Sequence, residues 1–249
     1  MSTLLISAVE AEMAPLMSSP DCQIQNSFTA GRRSVKQIAI GETELLAMAT
    51  GPGAVNTAMA LAAILENHPV HRIIQIGCAG GFALAGVKVG DVAIATEEID
   101  VQLGLELETD EKSSAIGALP FAVMEKEERQ YKHRYLMNRD WAEDAAHAIH
   151  DSGILSQKEI SLFKGSFVSA STITTTTQRA NELFDLYCPV MESMEGAAAA
   201  HTAIHYGVPH LQIRSASNLV GPRNRDQWDL SLAFENSCKA LMAILKQTT

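Results

Sequence analysis

Arg72-Ile73-Ile74-Gln75-Ile76-Gly77-Cys78-Ala79-Gly80-Gly81 is the stretch on which the fold turns. Arg72 to Ile76 is a short apolar, β-branched run of the kind found in strands covered on both faces, and it gives way at once to five small residues. In an open α/β sheet such a change belongs at the carboxyl edge of a strand, where ligands bind.

On either side of it the same alternation of strands and helices continues. Thr3–Val9 and Asp91–Ala95 read as further buried strands, and Val35–Ile40 and Glu44–Thr50 as two strands joined by a tight turn at Gly41-Glu42-Thr43. Gly51-Pro52-Gly53 breaks the pattern, and Ala54–Asn67 reads as a helix with Val55, Met59, Ala62, Ala63 and Leu65 among its apolar positions. Arg139–His150 is a helix with Trp141, Ala145, Ala148 and Ile149 on its apolar side. A strand near Phe163–Ser169 leads into Ser171-Thr172-Ile173-Thr174-Thr175-Thr176-Thr177. A helix near Gln178–Leu186, a short strand at Val190–Met194, an Ala-rich helix from Gly196 to His205, a last strand at Val208–Ser215 and a closing helix from Leu230 to Leu245 follow. The segment Glu97 to Glu111 holds seven acids and no base, and reads as a solvated loop; Glu125 to Arg134 carries both signs and reads as exposed. No repeat, linker or composition break divides the chain, so residues 1–249 are expected to form one α/β domain.

Composition bounds the partners. Lys and Arg number 19 against 29 Asp and Glu, a net charge of −10, so the basic stripe that nucleic-acid binding needs is missing. Apolar residues make up 47% of the chain, which suffices for a core, and 35 Ala with only 5% aromatics suit helices packed closely on a sheet. Met1 to Val9 has no basic flank and meets Glu10 and Glu12, so it is read as a strand and not a signal peptide. No apolar run approaches the roughly 18–20 residues of a membrane helix. Cys22, Cys78, Cys188 and Cys238 are too scattered for a zinc or disulfide frame. The expectation is a soluble cytoplasmic protein with no membrane or nucleic-acid partner.

Several places could hold chemistry. Gly51-Pro52-Gly53-Ala54-Val55-Asn56 has the strand-to-helix context of a dinucleotide fingerprint, but Asn56 stands at the third glycine and the distal acid is missing. Its glycines still allow close backbone approach, and its helix offers N–H groups. Cys78 is either a nucleophile or simply small enough for a crowded pocket wall, and the eight histidines show no triad order that would favour the first. His201 and His205 share a helix face and could bind zinc, but no Glu lies between them, and packing is the better account. The charged residues at strand ends are more telling: Glu10 and Glu12 after the first strand, Glu192 and Glu195 around Ser193-Met194, and Arg214 and Asn218 after the last. A charge at the end of an apolar strand is costly unless paired or used, so these three places are expected to converge on one small-molecule pocket.

Five blocks along the chain now stand in order: Ala8-Val9-Glu10-Ala11-Glu12, Gly77-Cys78-Ala79-Gly80-Gly81, Val87-Lys88-Val89-Gly90-Asp91, Met194-Glu195-Gly196-Ala197-Ala198 and Arg214-Ser215-Ala216-Ser217-Asn218. Together they resemble the nucleoside phosphorylase and nucleosidase superfamily over Leu4 to about Leu245. The resemblance implies a three-layer α/β/α sandwich with a central mixed sheet, cleavage of a purine–ribose bond, no metal or organic cofactor, and a homodimer or larger homo-oligomer. It also implies roles. Glu12 would activate the attacking water, with Arg214 holding that water and balancing charge. Glu195 would accept from the ribose hydroxyls, with Met194 packing under the sugar. Cys78, Ala79 and Gly80 would line the pocket, and Ile173 and the Thr174 backbone would meet the purine.

Departures from the family pattern choose a branch. Phosphorylases place an arginine where Gln75 stands, and the early phosphate loop has no counterpart between Val9 and Pro20, so water is the expected nucleophile. Asn218 replaces the Asp of the methylthioadenosine nucleosidases; its amide both donates and accepts and suits a 6-oxopurine. With Met191-Glu192-Ser193-Met194-Glu195-Gly196 and Asn218-Leu219-Val220-Gly221-Pro222-Arg223, this resembles the futalosine hydrolases, which release hypoxanthine in an alternative menaquinone pathway. Cys78 stands where Ser is common. Lys126, Arg129, Lys132 and Arg134 could meet the substrate's benzoate, but solvated surface charge is the better account. The alternatives are a methylthioadenosine/S-adenosylhomocysteine nucleosidase, a phosphate-using purine nucleoside phosphorylase, or a non-catalytic nucleoside-binding protein.

Overall fold

A computed structural model describes residues 2–107, 115–154 and 160–247. In chain order the elements are β1 (Ser2–Ser7), α1 (Glu10–Met17), β2 (Cys22–Ala30), β3 (Arg33–Ile40), β4 (Thr43–Ala49), α2 (Ala54–Asn67), β5 (Val70–Gly81), β6 (Val92–Asp100), β7 (Leu105–Leu107) and β8 (Ala115–Gly117). Next come β9 (Met124–Lys126), β10 (Arg129–Tyr131), β11 (Arg134–Leu136), α3 (Arg139–Asp151), β12 (Leu162–Ser169), α4 (Thr177–Tyr187), β13 (Met191–Ser193), α5 (Gly196–Tyr206), β14 (His210–Leu219) and α6 (Leu230–Gln247).

Among the described residues ten strands form one mixed sheet in the order β11-β6-β12-β13-β5-β1-β4-β3-β2, with β14 pairing to both β5 and β6. Those two pairings close a ring of five strands, β5, β14, β6, β12 and β13. Side chains alternate across a strand, so Leu4 and Ile6 face one way and Leu5 the other. Leu5, Ile74, Ile76, Leu211 and Ile213 pack with Met13 and Leu16 of α1, Ala145 and Ile149 of α3, and Leu241 and Ile244 of α6. Leu4, Ile6 and Ile73 pack with Leu61 and Ile64 of α2 and Ala199 and Ala203 of α5. The result is the anticipated three-layer α/β/α sandwich. No helix among the described residues is long and apolar enough to cross a membrane.

The differences from the sequence reading share a cause. β5 does not stop at Ile76 but runs on to Gly81, because Gly77–Gly81 pairs with Arg214–Leu219 of β14, which likewise extends past Ser215. β6 continues through Glu97, Glu98 and Asp100, expected in a solvated loop, because β12 pairs with it along that length. Glu98 is fully buried, whereas Glu108, Asp110 and Glu111 of the same acidic stretch lie outside the described residues. β2 is a strand with almost no covered residues, although Cys22, Ile24, Phe28 and Ala30 alternate with polar residues and only Asn26 breaks the pattern. In α2 the covered positions are Thr57, Ala60, Leu61 and Ile64, while Val55 and Met59 are exposed. The packing partner, not hydrophobicity alone, selects the face.

His210 opens β14 under the sheet. Neither of its ring nitrogens has a partner, and burial, seconded by the charge of Arg214, pushes its pKa from 6.5 down to about 3. The fold therefore keeps this ring neutral. Its folded pKa lies below the unfolded one, so stability is complete above pH 6.5 and falls as pH drops from there toward 3, by at most about 1.4 kcal/mol per pH unit. Thermal melts between pH 7.5 and 4.5 are expected to decline more shallowly for His210→Leu than for the wild type. An identical slope would refute the assignment.

Candidate active site

The site is built where β1 ends and α1 begins. Ser7 closes the strand, and Ala8 and Val9 present free N–H groups at the start of the helix, a place that favours a carboxylate. Glu12, in the first turn of α1, fills it: Oε2 accepts from Ala8 N at 2.8 Å and Val9 N at 3.1 Å, and Oε1 accepts from Cys78 N at 2.9 Å. The carboxylate is 2% exposed. It fits against β5 only because residue 77 is glycine, since a Cβ there would lie 2.3 Å from Glu12 Oε1.

Arg214, on β14 opposite Gly77, is 1% exposed and surrounded by acceptors. Its Nη1 donates to Cys78 O at 3.2 Å and lies 3.8 Å from Glu12 Oε1. Its Nη2 reaches Glu195 Oε2 at 3.3 Å, and Nε and Nη2 both donate to Gln212 Oε1 at 3.3 Å. Glu195 is the N-cap residue of α5, and its Oε1 accepts from Gly53 N at 2.8 Å. The N–H of the Gly51-Pro52-Gly53 loop thus serves a protein carboxylate, in place of the ligand contact that its glycines suggested.

Above this cluster is a cavity of about 280 Å³ lined by Glu12, Cys78, Ala79, Gly80, Ile173, Thr174, Met194, Glu195 and Asn218 among others. Nine of the ten residues given a role at the site are in its lining, as is Glu192, and Arg214 sits behind Glu12 and Glu195. Glu10, also expected there, lies at the surface beside Lys36 instead. Asn218 is half-buried; its Oδ1 accepts from Ser217 Oγ at 2.9 Å and its Nδ2 donates to Leu219 O at 3.0 Å. One amide hydrogen is left over for a ligand. Thr174 donates from N and Oγ1 to the carboxylate of Glu192, whose pKa burial raises against those two bonds. The Cys78 thiol is pushed up to about 12, by burial first and by Glu12 next. It is not a nucleophile; the residue contributes its backbone N–H and C=O.

Among the lining residues that had no assigned role are Glu192, Arg223, Trp228 and Leu230. The Arg223 guanidinium lies 4.9 Å from the centre of the Trp228 ring, and among the described residues no carboxylate pairs with it. Trp228, one of only two tryptophans in the chain, is the signal that could have pointed there. The other candidate cations are elsewhere. Lys126 Nζ donates to His205 O at 2.7 Å, Arg134 pairs with Glu97 at 3.0 Å, and neither these nor Arg129 and Lys132 line the cavity. Gln75 is 1% exposed and sits below the cavity, not in it. His201 Nδ1 is 3.1 Å from Tyr135 Oη, and among the described residues no three His, Cys, Asp or Glu side chains form a metal-ligand set.

Comparison with known proteins agrees with this architecture. Residues 2–248 match the family model of the phosphorylase superfamily. A futalosine hydrolase of Thermus thermophilus is 26% identical over 82% of this chain and 83% of its own length. A 5′-methylthioadenosine/S-adenosylhomocysteine nucleosidase of Bacillus cytotoxicus is 25% identical over 99% of both chains. The structure of the corresponding Neisseria meningitidis nucleosidase, in complex with methylthio-immucillin-A, superposes with a TM-score of 0.78 at 24% identity, covering 99% of each chain.

Proposed function

The chain belongs to the phosphorylase superfamily, and from that premise we propose that it is a purine nucleosidase which hydrolyses futalosine to hypoxanthine and dehypoxanthine futalosine. The observation that supports hydrolysis most is the state of Glu12. A carboxylate has about four acceptor positions, and three of them are taken by Ala8, Val9 and Cys78 N–H groups. The fourth is available to a water molecule on the cavity side of Glu12. Glu12 takes the proton of that water as its oxygen attacks the anomeric carbon and the bond to the purine nitrogen breaks. The transition state is a cationic sugar, which the Glu12 and Glu195 carboxylates stabilise, while Glu195 also accepts from the ribose hydroxyls. The purine leaves with the electron pair of the broken bond, steadied by a hydrogen bond from Asn218, and takes its proton from solvent. The Thr174 N–H is held by Glu192, so only its C=O is left to meet the base, with Ile173 and Met194 packing on rings and sugar.

Two features favour futalosine. The free amide hydrogen of Asn218 suits an acceptor on the base, as a 6-oxopurine provides. Arg223, over Trp228 at 4.9 Å, offers to a 5′ substituent bearing a benzoate an aromatic shelf and a cation that no carboxylate among the described residues holds. Phosphate would find few hands, since Arg214 is already held by Gln212, Glu195 and Cys78. A second reading, methylthioadenosine/S-adenosylhomocysteine hydrolysis, is favoured by the end-to-end match to the Bacillus enzyme.

Purine release from futalosine, methylthioadenosine and inosine, each with and without phosphate, separates these readings. Futalosine turnover without phosphate is the expected result. Comparable efficiency on methylthioadenosine sinks the substrate assignment, a phosphate requirement sinks hydrolysis, and no turnover of any nucleoside leaves only binding. Arg223→Ala should raise KM for futalosine about tenfold, the loss of one charged hydrogen bond, and leave inosine unchanged. A uniform effect on both would dismiss Arg223 as the carboxylate partner.

A further inference from the structure

Beside the buried carboxylates of Glu12 and Glu195 lies a further one that none of the steps above uses. Glu98, on β6, is 0% exposed. Its Oε2 accepts from Ser169 Oγ of β12 at 2.8 Å, and its Oε1 accepts from Gln212 Nε2 of β14. Gln212 Oε1 in turn accepts from Arg214 Nε and Nη2, and Nη2 also donates to Glu195. Ser169 Oγ accepts from Ala197 N at 2.8 Å, in the first turn of the helix that Glu195 caps. The bonds close a circuit: Glu98, Gln212, Arg214, Glu195, the start of α5, Ser169, and back to Glu98.

The direction of each bond is forced. A guanidinium only donates, so Gln212 must turn its oxygen to Arg214 and its NH₂ to Glu98. Ser169 Oγ accepts from Ala197 N and has one proton to give, which an ionised Glu98, being an acceptor only, takes. Both oxygens of Glu98 therefore face donors. The space is reserved for it as well: a Cβ at residue 196 would lie 1.7 Å from Glu98 Oε1 and 2.8 Å from Gln212 Oε1, so only glycine fits there.

We propose that Glu98 is a positioning residue for the reaction, which fixes the amide of Gln212 and through it holds the Arg214 guanidinium against Glu195 and beside Glu12. Without Glu98 the Gln212 amide is free to flip, and its NH₂ then opposes the Arg214 N–H groups. The groups facing Glu98 are Ser169, Gln212, Arg214, Glu195 and the first turn of α5. Burial pushes its pKa to about 7 and Glu195 raises it, while Gln212, Ser169 and Arg214 lower it. A proton on Oε1 would meet the Gln212 NH₂ and break that bond, whereas one on Oε2 would only reverse the bond to Ser169, whose oxygen can accept it. Only the activity readout of this proposal rests on the nucleosidase reading.

The test compares wild type, Glu98→Gln, Glu98→Asp, Gln212→Leu and the double variant Glu98→Gln/Gln212→Leu, with melts to confirm folding. Glu98→Gln is expected to lower kcat about tenfold with KM changed less than twofold, which is roughly the worth of one charge-assisted hydrogen bond. Glu98→Asp keeps the charge but falls short of Gln212, and should lose as much. In the Gln212→Leu background, loss of Glu98 should cost nothing further, because the two act in series. Wild-type kcat in the folded single variants, or losses that multiply in the double, overturns the proposal. If neither Glu98 variant folds, wild-type kcat in Gln212→Leu overturns it alone. A readout that needs no turnover is the Arg214 Nε–H signal in ¹⁵N NMR, expected to exchange slowly in wild type and faster in Glu98→Gln. An unchanged signal overturns the proposal whether or not any nucleoside is hydrolysed.

Discussion

Glu12→Gln is expected to remove nucleoside hydrolysis almost completely, by about 10²–10⁴-fold in kcat, the usual worth of a positioned general base. The substitution keeps the volume but not the acceptors, so a thermal melt of the variant separates loss of catalysis from loss of folding. An amide has one oxygen and one NH₂, whereas the site presents donors on both sides: Ala8 N and Val9 N to one oxygen, Cys78 N to the other. Whichever way the amide turns, its NH₂ meets at least one N–H, and it has no basicity with which to take a proton from water. Single-turnover assays with the preferred nucleoside read the effect. A variant within threefold of wild type would remove Glu12 from the mechanism, and the water bound to it with it.

Gly77→Ala should cost nearly as much activity for a different reason. Its Cβ would intrude to 2.3 Å from Glu12 Oε1 and 2.8 Å from Arg214 Nη1, on a backbone at φ +150°. Neither neighbour can retreat, since both are buried and hydrogen-bonded. Overpacking of this kind costs about 1–3 kcal/mol of stability, and whatever structure survives has Glu12 displaced. Gly86→Ala is the control. It also has positive φ but nothing within 4 Å of the added atom, so it feels backbone strain alone and should keep full kcat. Loss of activity in Gly77→Ala but not in Gly86→Ala locates the effect at the carboxylate. Equal activity in the two would show that Glu12 needs no such close fit.

The charged cluster at the cavity was partly legible beforehand because its members are charged residues placed at the ends of apolar strands. Glu12, Glu195 and Arg214 stand out in that way one by one. That they meet at 3.3–3.8 Å depends on the pairing of β14 with β5, a contact across more than a hundred residues of chain. Arg223 and Trp228 were not anticipated, since they lie in a polar connection with no strand to mark it as pocket. The Cys78 alternative was closed by its surroundings: burial and the nearby Glu12 hold the thiol protonated, which its position in a glycine-rich segment does not reveal.

By itself the sequence determined the alternation of strands and helices, the exclusion of a basic nucleic-acid surface, and the set of residues around which a nucleoside pocket would form. Each of these is written locally, because side-chain type records how much water a position tolerates and glycine records where the backbone must make room. Only the tertiary structure decided which of those positions face one another. Glu97 and Glu98 are neighbours of identical chemistry, yet one pairs with Arg134 near the surface and the other is sealed beneath Arg214. What separates them is the alternation of β6 once β12 and β14 have paired with it, a fact of strand order that no single letter of the chain contains.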